Sequence, residues 1–292
     1  MNARAITVPW RTMTMTTNHL GCALLLAAGA PLLAVDAAPA LPAVEVVPLA
    51  KAHIVLAEDF ESTAVGAIPA GYTKKGAVGV VDDVAHTGKH ALRIEAAING
   101  AREIIKTGEE ITALGGQHWG RLFFKVQLPA SQPLEGKIVH STMVEGTAES
   151  PLDKQPIQVR VLGTLVNSKG TFDYLYNVQP LKGRKEFATS SPSVYHYSDS
   201  WTLAEWYVDY ATQTYRFFVD GQELAGIGFH KGEGNFTKAE ILPACTSVAF
   251  GWCNYQPVAS GGFVAWIDDI VLSKERIGAQ TALPAAGSAK KP

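Results

Sequence analysis

The sequence lacks a strong excess of charge of either sign. Its 292 residues include 25 Lys and Arg against 27 Asp and Glu, a formal net charge of -2. Recognition of nucleic acid depends on a basic field or patch, so this balance argues against a nucleic-acid partner. No Ser-His-Asp arrangement is evident in the sequence. A nucleotide-binding motif is also missing, because Gly76-Ala77-Val78-Gly79 is not followed by a helical pattern.

Cysteine is scarce, with three residues in the whole chain, Cys22, Cys245 and Cys253. Cys22 lies near the N-terminus, in a segment with the features of a targeting signal. In an oxidising compartment the remaining pair is compatible with a disulfide, and equally with two buried thiols on neighbouring strands. Two cysteines without nearby histidines do not make a zinc site.

Long apolar runs are also missing, apart from one near the N-terminus. Arg4 and Arg11 precede an apolar stretch at 20–35, and small residues follow as far as Ala40. This run is short for a membrane span, and the pattern is typical of a cleaved signal peptide covering residues 1–40. The sequence therefore predicts a secreted or periplasmic protein that leaves the membrane after cleavage; the alternative is an uncleaved anchor.

The rest of the chain divides by composition into three parts. Residues 41–52 are rich in Ala, Pro and Val and are interpreted as a linker. Residues 279–292 form a low-complexity tail of Ala, Gly, Ser, Lys and Pro, which predicts disorder. Between them, residues 53–278 have the length of one large β-domain.

Long helical periodicity is absent from that domain, apart from weak helical possibilities at 102–114 and 236–242. Short β-branched and aromatic runs instead alternate with turn signals, a pattern typical of an all-β sandwich. The predicted strands cover 54–60, 77–82, 90–96, 119–128, 137–145, 157–166, 171–178, 203–210, 213–219, 246–253 and 263–272. After the run that ends at Val219, Asp220-Gly221 has the positive-φ chemistry of a hairpin turn.

Acidic residues cluster near the two ends of the domain, on segments that meet in a sandwich. Glu61 follows the first strand, Asp82 precedes a turn, and Asp268-Asp269 lies in the last strand. Carboxylates are unfavourable in strands unless they are exposed or paired, and calcium prefers a cage of several oxygens. The sequence therefore predicts a structural calcium, held by these four residues with carbonyls of the turn; exposed acids that need no ion are the alternative.

Polar, cationic and aromatic side chains concentrate on one side of the mid-chain strands, with apolar residues on the other. Aromatic rings cover the faces of sugars, and cations pair with uronate carboxylates, so this pattern predicts a glycan cleft on a single face. A solvated outer face is the alternative. The predicted cleft residues are Arg121, Lys125, His140, Arg160, Tyr174, Tyr176, Glu205 and Tyr207.

This set of residues could cleave an acidic polysaccharide by β-elimination. The reaction needs a cation to neutralise the carboxylate, a base for the C5 proton and an acid for the leaving oxygen. Arg121 or Arg160 could supply the first, His140 or Tyr176 the second, and Tyr174 or Tyr176 the third. Arg121, His140 and Tyr176 are the predicted catalytic residues, and the others bind substrate.

Two other functions stay open at this point. A glycan-binding module would use the same cleft without catalysis. A glycoside hydrolase would need a pair of carboxylates about 5 to 9.5 Å apart, for which Glu145 with Glu205 is a candidate.

Several short segments resemble a known family. They are His118-Trp119-Gly120-Arg121-Leu122-Phe123, Val139-His140-Ser141-Thr142-Met143-Val144-Glu145, Trp201-Thr202-Leu203-Ala204-Glu205-Trp206, Phe217-Phe218-Val219-Asp220-Gly221 and Trp266-Ile267-Asp268-Asp269-Ile270. Together they resemble the cellulose-induced secreted proteins of biomass-degrading fungi and their bacterial relatives, which are allied to the glucuronan lyases of polysaccharide lyase family 20.

The resemblance, which covers roughly 115–278, implies a concanavalin-A-like β-jelly roll of two antiparallel sheets, a structural calcium and a cleft for a plant or algal cell-wall glycan or another acidic glycan. By motif, Arg121, His140 and Glu205 would line the cleft, and Glu61 with Asp268 or Asp269 would hold the calcium. The sequence departs from the family at Ala279, where the family has a cysteine.

Overall fold

The structure, a computed structural model, describes residues 43–151, 153–180, 186–230, 240–259 and 261–280. The predicted signal peptide and most of the predicted C-terminal tail lie outside these residues. The strands are β1 (Ile54–Glu58), β2 (Tyr72–Lys75), β3 (Val78–Val81), β4 (Ala91–Ile94), β5 (Gly100–Thr107), β6 (Gln117–Val126), β7 (Ile138–Glu149), β8 (Pro156–Asn167), β9 (Phe172–Pro180), β10 (Phe187–Ser190), β11 (Thr202–Asp209), β12 (Thr214–Val219), β13 (Gln222–Glu223), β14 (Ser247–Asn254) and β15 (Ala265–Ser273). The helical elements in these ranges are a 3-10 turn (Leu49–Lys51) and a short helix, α1 (Glu109–Ala113).

The strands form two antiparallel sheets, and the prediction of an all-β sandwich is confirmed. The eight-stranded sheet has the order β13-β12-β11-β6-β15-β4-β3, with β1 paired to β15. The seven-stranded sheet has the order β10-β9-β8-β7-β14-β5-β2. Most neighbouring strands are distant in the chain, since the first strand pairs with the last and β6 lies between β11 and β15.

The core lies between the two sheets, and side-chain alternation decides which residues enter it. In β6, Leu122, Phe124 and Val126 are buried in the core, as the alternation predicts. A Cβ at Gly120 would lie 2.1 Å from the indole of Trp206, so the glycine gives this large ring room in the core.

Each of the eleven predicted strands is present, and the Asp220-Gly221 turn joins β12 to β13 as a two-residue hairpin. Val219 pairs with Gln222, and both turn residues have positive φ, at 48° and 80°. The Asp220 carboxylate also accepts a hydrogen bond from the Leu203 amide at 3.0 Å, which ties the turn to β11.

The weak helical prediction at 102–114 is wrong for its first half. Those residues form β5, which pairs with β14 on one side and β2 on the other. The Ile104-Ile105 pair suits either element, and only pairing with distant strands makes it a strand. Gly108, with φ of 105°, ends this segment before the short helix α1. The second helical possibility, 236–242, lies mostly outside the described residues.

The two cysteines of the domain are free thiols, so the disulfide alternative is not realised. Cys245 is buried in the core, and burial raises the pKa of its thiol to about 12. Cys253 lies half-buried in β14. None of the helices in the described ranges has the length and apolarity that a membrane-spanning helix requires.

Candidate functional site

The structure separates the three predicted catalytic residues. Arg121 lies in β6 of the eight-stranded sheet, whereas His140 in β7 and Tyr176 in β9 belong to the other sheet. The prediction of one common face is therefore wrong. Alternation identifies which side chains share a face of one strand, but it does not tell which sheet that strand joins.

Arg121 and Glu205 anchor the C-terminal segment on the outer face of the eight-stranded sheet. They are cross-strand partners of β6 and β11, and both are buried. Arg121 Nη1 donates to the carbonyl of Gly278 at 2.6 Å and also to that of Gln280. Glu205 accepts two hydrogen bonds from Arg276, at 3.1 and 2.8 Å. Since this segment covers both side chains, neither lines an open cleft.

The predicted tyrosines Tyr174 and Tyr176 point into the core. Both are at most 2% exposed, and the Tyr176 hydroxyl donates to the carbonyl of Glu240 at 2.6 Å. Burial raises the pKa of each phenol above its ordinary value. In β9 the core side carries Phe172, Tyr174, Tyr176 and Val178. The predicted alternation along this strand is therefore correct, but the tyrosines face the core and not the outer surface.

Two further predicted substrate-binding residues, Lys125 and Tyr207, lie on the outer face of the eight-stranded sheet. Lys125 pairs with Asp199 at 3.1 Å. The Tyr207 ring packs 4.9 Å from that of Trp119, and its hydroxyl accepts a hydrogen bond from Gln117 at 2.9 Å. The sandwich therefore separates them from His140 and Arg160.

His140 and Arg160 do share one surface, the outer face of the seven-stranded sheet. Glu145 lies on this face as well and is the direct cross-strand partner of Arg160. Tyr255 joins them from the end of β14, where its amide donates to the His140 carbonyl at 3.0 Å. We refer to the outward side chains of Glu145, Arg160, Tyr255 and His140 as the candidate site.

The centre of the candidate site is an arginine stacked on a tyrosine. The Arg160 guanidinium lies 3.7 Å from the centre of the Tyr255 ring, and the Tyr255 hydroxyl donates to Glu145 Oε2 at 3.3 Å. Burial first, and the nearby Glu145 carboxylate second, raise the pKa of Tyr255 above its ordinary value. The phenol is therefore protonated at neutral pH and can donate its proton.

His140 is poised as a neutral imidazole. Burial lowers its pKa below the ordinary value, the positive charge of Arg160 lowers it further, and Glu186 partly offsets both. A neutral imidazole can accept a proton, which is the property that a general base needs. Because Tyr255 follows β14 alongside His140, an acid and a base lie on adjacent strands.

Three more polar residues extend this face beyond the residues that the sequence singled out. Glu103 in β5 pairs with Lys75 of β2 at 3.0 Å between Nζ and Oε1. Burial raises the pKa of Glu145, and repulsion from Glu103 raises it further. Burial raises the pKa of the Cys253 thiol, and the Glu103 and Glu145 carboxylates raise it further. The sequence around Tyr255 and Glu103 contains no motif that indicates a function. These two residues reach the site because of the order of the strands in the sheet.

The acids predicted to hold calcium gather in part around the turn at 86–90. Asp268 accepts hydrogen bonds from the amides of His86 and Thr87, at 2.8 and 3.3 Å. Asp269 contacts the side chains of the same two residues. Glu61 Oε1 accepts from the amides of Lys89 and His90, both at 2.7 Å. Asp82 is exposed, so it does not share the buried environment of Asp268 and Asp269.

The buried pair of carboxylates suits a cation. Asp268 and Asp269 are adjacent and fully buried, and burial with repulsion from Asp269 raises the pKa of Asp268 to about 8. Within the described residues, however, no three His, Cys, Asp or Glu side chains converge as a metal site. A calcium ion would therefore take oxygens of Asp268, Asp269 or Glu61 together with backbone oxygens, and its contribution would be structural.

Comparison with known proteins supports the fold. No family model and no curated protein matches the sequence. Among solved structures, the cellulose-induced protein Cip1 is similar, at 19% identity and a TM-score of 0.50 over 77% of this chain and 100% of that one. An endo-β-1,4-glucuronan lyase from the fungus Trichoderma reesei matches at 11% identity and a TM-score of 0.49, over 75% of this chain and 95% of that one. A carbohydrate esterase of the Shiga toxin-encoding bacteriophage phi24B matches at 15% identity and a TM-score of 0.49, over 76% and 98%.

These identities are low, so the likeness to Cip1 concerns the fold. The two-sheet topology and that likeness agree with each other and with the resemblance of the sequence motifs. The chain therefore has a β-jelly-roll fold.

Proposed function

We propose that this protein is an exported polysaccharide lyase that binds a uronic-acid-containing glycan at the candidate site. The observation that carries the proposal is that Arg160 stacks on the Tyr255 phenol on the same outer face as His140, near enough to lower the pKa of that imidazole beyond the effect of burial. The resemblance of the sequence motifs to a family allied to glucuronan lyases favours the same class of reaction. The N-terminal pattern supports export to the periplasm or the medium, where a plant, algal or other acidic polysaccharide is the partner.

Arg160 neutralises the uronate carboxylate, which makes the C5 proton more acidic. Its planar guanidinium matches a carboxylate in a bidentate arrangement. Because Tyr255 covers Arg160, which is only 4% exposed, the carboxylate reaches it when the ring turns from its stacked position. The Tyr255 hydroxyl then leaves Glu145 and points to the substrate.

His140 accepts the C5 proton as the general base, and Tyr255 donates a proton to the O4 leaving group. The electron pair of the C5–H bond forms the C4–C5 double bond, and the C4–O4 bond breaks. One product has an unsaturated uronate at its new non-reducing end, and the other keeps the former O4 oxygen as the anomeric hydroxyl of its new reducing end. Solvent carries the proton from His140 back to the Tyr255 phenolate.

The test follows the ultraviolet absorbance of the unsaturated product with a panel of uronate polysaccharides. We expect His140→Gln, Arg160→Lys and Tyr255→Phe each to lower the initial rate by about 100-fold or more. Arg93→Lys on the other sheet and His196→Gln in an exposed loop are matched controls that keep wild-type rates. No rise in absorbance with the wild-type protein on any uronate polysaccharide, whether a homopolymer or one with neutral sugars between its uronates, would exclude the lyase function.

The second candidate is a glycan-binding module without catalysis. The exposed Tyr255 ring over Arg160 favours it, since a ring and a cation bind acidic sugars with or without a base. Retardation in a glycan-containing gel without absorbance or new reducing ends would identify a binder. The hydrolase pair of Glu145 and Glu205 is not formed, because these residues lie in different sheets.

A further inference from the structure

The charges on the β5 side of the candidate site oppose a second anionic sugar. Glu103 in β5 and Glu145 in β7 lie on the two strands that flank β14. Gly251 is the β14 residue opposite Glu103 and has no side chain to screen it from Glu145. Two strand spacings, about 10 Å, separate β5 from β7. A glycan that crosses the strands from Arg160 toward β5 would place its next sugar over these carboxylates.

Among the described residues, the two cations that face these carboxylates, Lys75 and Arg160, are already matched by them. Lys75 Nζ lies 3.0 Å from Glu103 Oε1, and Arg160 is the cross-strand partner of Glu145. The net charge of these two cations and two anions is zero before substrate binds. One uronate can share Arg160 with Glu145, whereas a second uronate on the β5 side would meet two carboxylates and a lysine that is already paired.

The raised pKa of Glu145 also indicates that negative charge is unfavourable in this region. Burial, followed by repulsion from Glu103, raises its pKa despite the opposing effect of Arg160. Another carboxylate brought beside them would add a like charge at short range in a partly desolvated place, which is costly.

We propose, resting on the function proposed above, that the sugar bound next to the uronate on the β5 side is uncharged. The substrate class is then a polysaccharide in which uronates are separated by neutral sugars, and homopolymers of uronate bind poorly. Glu103 and Glu145 are the residues that set this specificity.

The test compares the affinities of two probes by calorimetry at low salt. Hyaluronan has a neutral N-acetylhexosamine beside each glucuronate, and polyglucuronate has a carboxylate on every sugar. We expect wild-type protein to favour hyaluronan, and Glu103→Gln/Glu145→Gln to shift the ratio of the two affinities toward polyglucuronate by about tenfold. A ratio removes the effect of the linkage, which is the same for both proteins.

Glu149→Gln is the matched control, because this exposed residue lies on β7, as Glu145 does, and is paired with Lys154. It should leave the ratio unchanged. A pH series on the wild-type protein serves as a second measurement if the double variant fails to fold. Because the pKa of Glu145 is raised by burial and by Glu103, lowering the pH while the uronates stay ionised should protonate Glu145 first and raise the relative affinity for polyglucuronate.

An unchanged ratio, in the double variant or across the pH series, would overturn the specificity proposal while binding of hyaluronan still supports the function. Binding of neither probe, nor of other uronate polymers, would overturn both.

Discussion

Two arginines of the described residues lie within 4 Å of the centre of an aromatic ring, with different consequences. Arg276 lies 3.9 Å from the Phe218 ring and is held by two hydrogen bonds from its guanidinium to Glu205. Arg160 lies 3.7 Å from a ring that is itself partly exposed and whose hydroxyl contacts Glu145. The ring in the first arrangement is buried, whereas the ring in the second is partly exposed and can rotate away from the guanidinium.

His118 is a residue whose burial should be visible in the pH dependence of stability. It lies in the core end of β6, and burial first, with the nearby Lys274 second, lowers its pKa to about 3. Within the described part of the chain its Nδ1 has no hydrogen-bond partner. The folded protein therefore keeps His118 neutral, while the unfolded chain binds a proton near pH 6.5.

The sign of the effect follows from proton binding. As the pH falls from 6.5 toward 3, the unfolded state holds more protons, so the free energy of unfolding decreases. We expect this residue to remove on the order of 3 kcal/mol between pH 7 and pH 4. Urea unfolding at pH 7, 5.5 and 4 should show a shallower dependence in His118→Phe than in wild type. An equal dependence of the unfolding free energy on pH in His118→Phe and wild type would contradict this role of His118. The control variant His196→Gln should keep the wild-type dependence.

At the scale of elements, the C-terminal segment behaves as a strap across the outer face of the eight-stranded sheet. Arg121 in β6 and Glu205 in β11 form its attachment on the sheet, and Arg276 with the carbonyl of Gly278 forms it on the segment. The N-terminal residues join the strap, since the Val47 amide donates to the carbonyl of Arg276 at 2.8 Å. Residues expected to bind substrate are thus used to close the fold.

Removal of Glu205 should therefore destabilise the protein without affecting glycan recognition. Glu205→Ala leaves the buried Arg276 guanidinium without its carboxylate, a change that costs on the order of 3 kcal/mol. The measurement is the free energy of unfolding in urea, with affinity for a uronate polysaccharide determined in parallel. Asp199→Asn, which breaks the more exposed pair with Lys125, should cost less than about 1 kcal/mol. If a folded Glu205→Ala protein lost affinity for the polysaccharide, Glu205 would have to be a substrate-binding residue after all.

The elements also mark the limit of what the sequence could predict. Alternation correctly assigned Leu122 and Phe124 to the core, and the Asp-Gly pair correctly placed a hairpin. Membership of a sheet depends on contacts between distant segments, and local pattern carries no information about it. His140 and Arg160 were found because they lie on neighbouring strands of the sequence, whereas Tyr255 and Glu103 reach the site only through the pairing of β14 with β7 and β5.

At the scale of the whole molecule, the two sheets have different uses for their outer faces. The eight-stranded sheet is covered by the chain's own C-terminal segment, and it also holds the pairing of the first strand with the last. The seven-stranded sheet carries the candidate site on its outer face. This division follows from the sandwich, because each sheet buries one face in the shared core and has only one left for other contacts.

The closure between β1, the turn at 86–90 and β15 is where calcium would act, and the prediction is that it raises the melting temperature. Asp268 and Asp269 are buried side by side, His86 Nδ1 lies 2.6 Å from Asp269 Oδ2, and the positive charge of Arg121 also interacts with Asp269. A divalent ion that binds only the folded state shifts the equilibrium by mass action. Thermal melts with calcium and with a chelator should differ by several degrees in the wild type, and the difference should disappear in Asp269→Asn. Identical melts would mean that hydrogen bonds from His86 and Thr87 close the sandwich without an ion. Glu149→Gln, far from the turn on the other sheet, should keep the full difference if calcium is the cause.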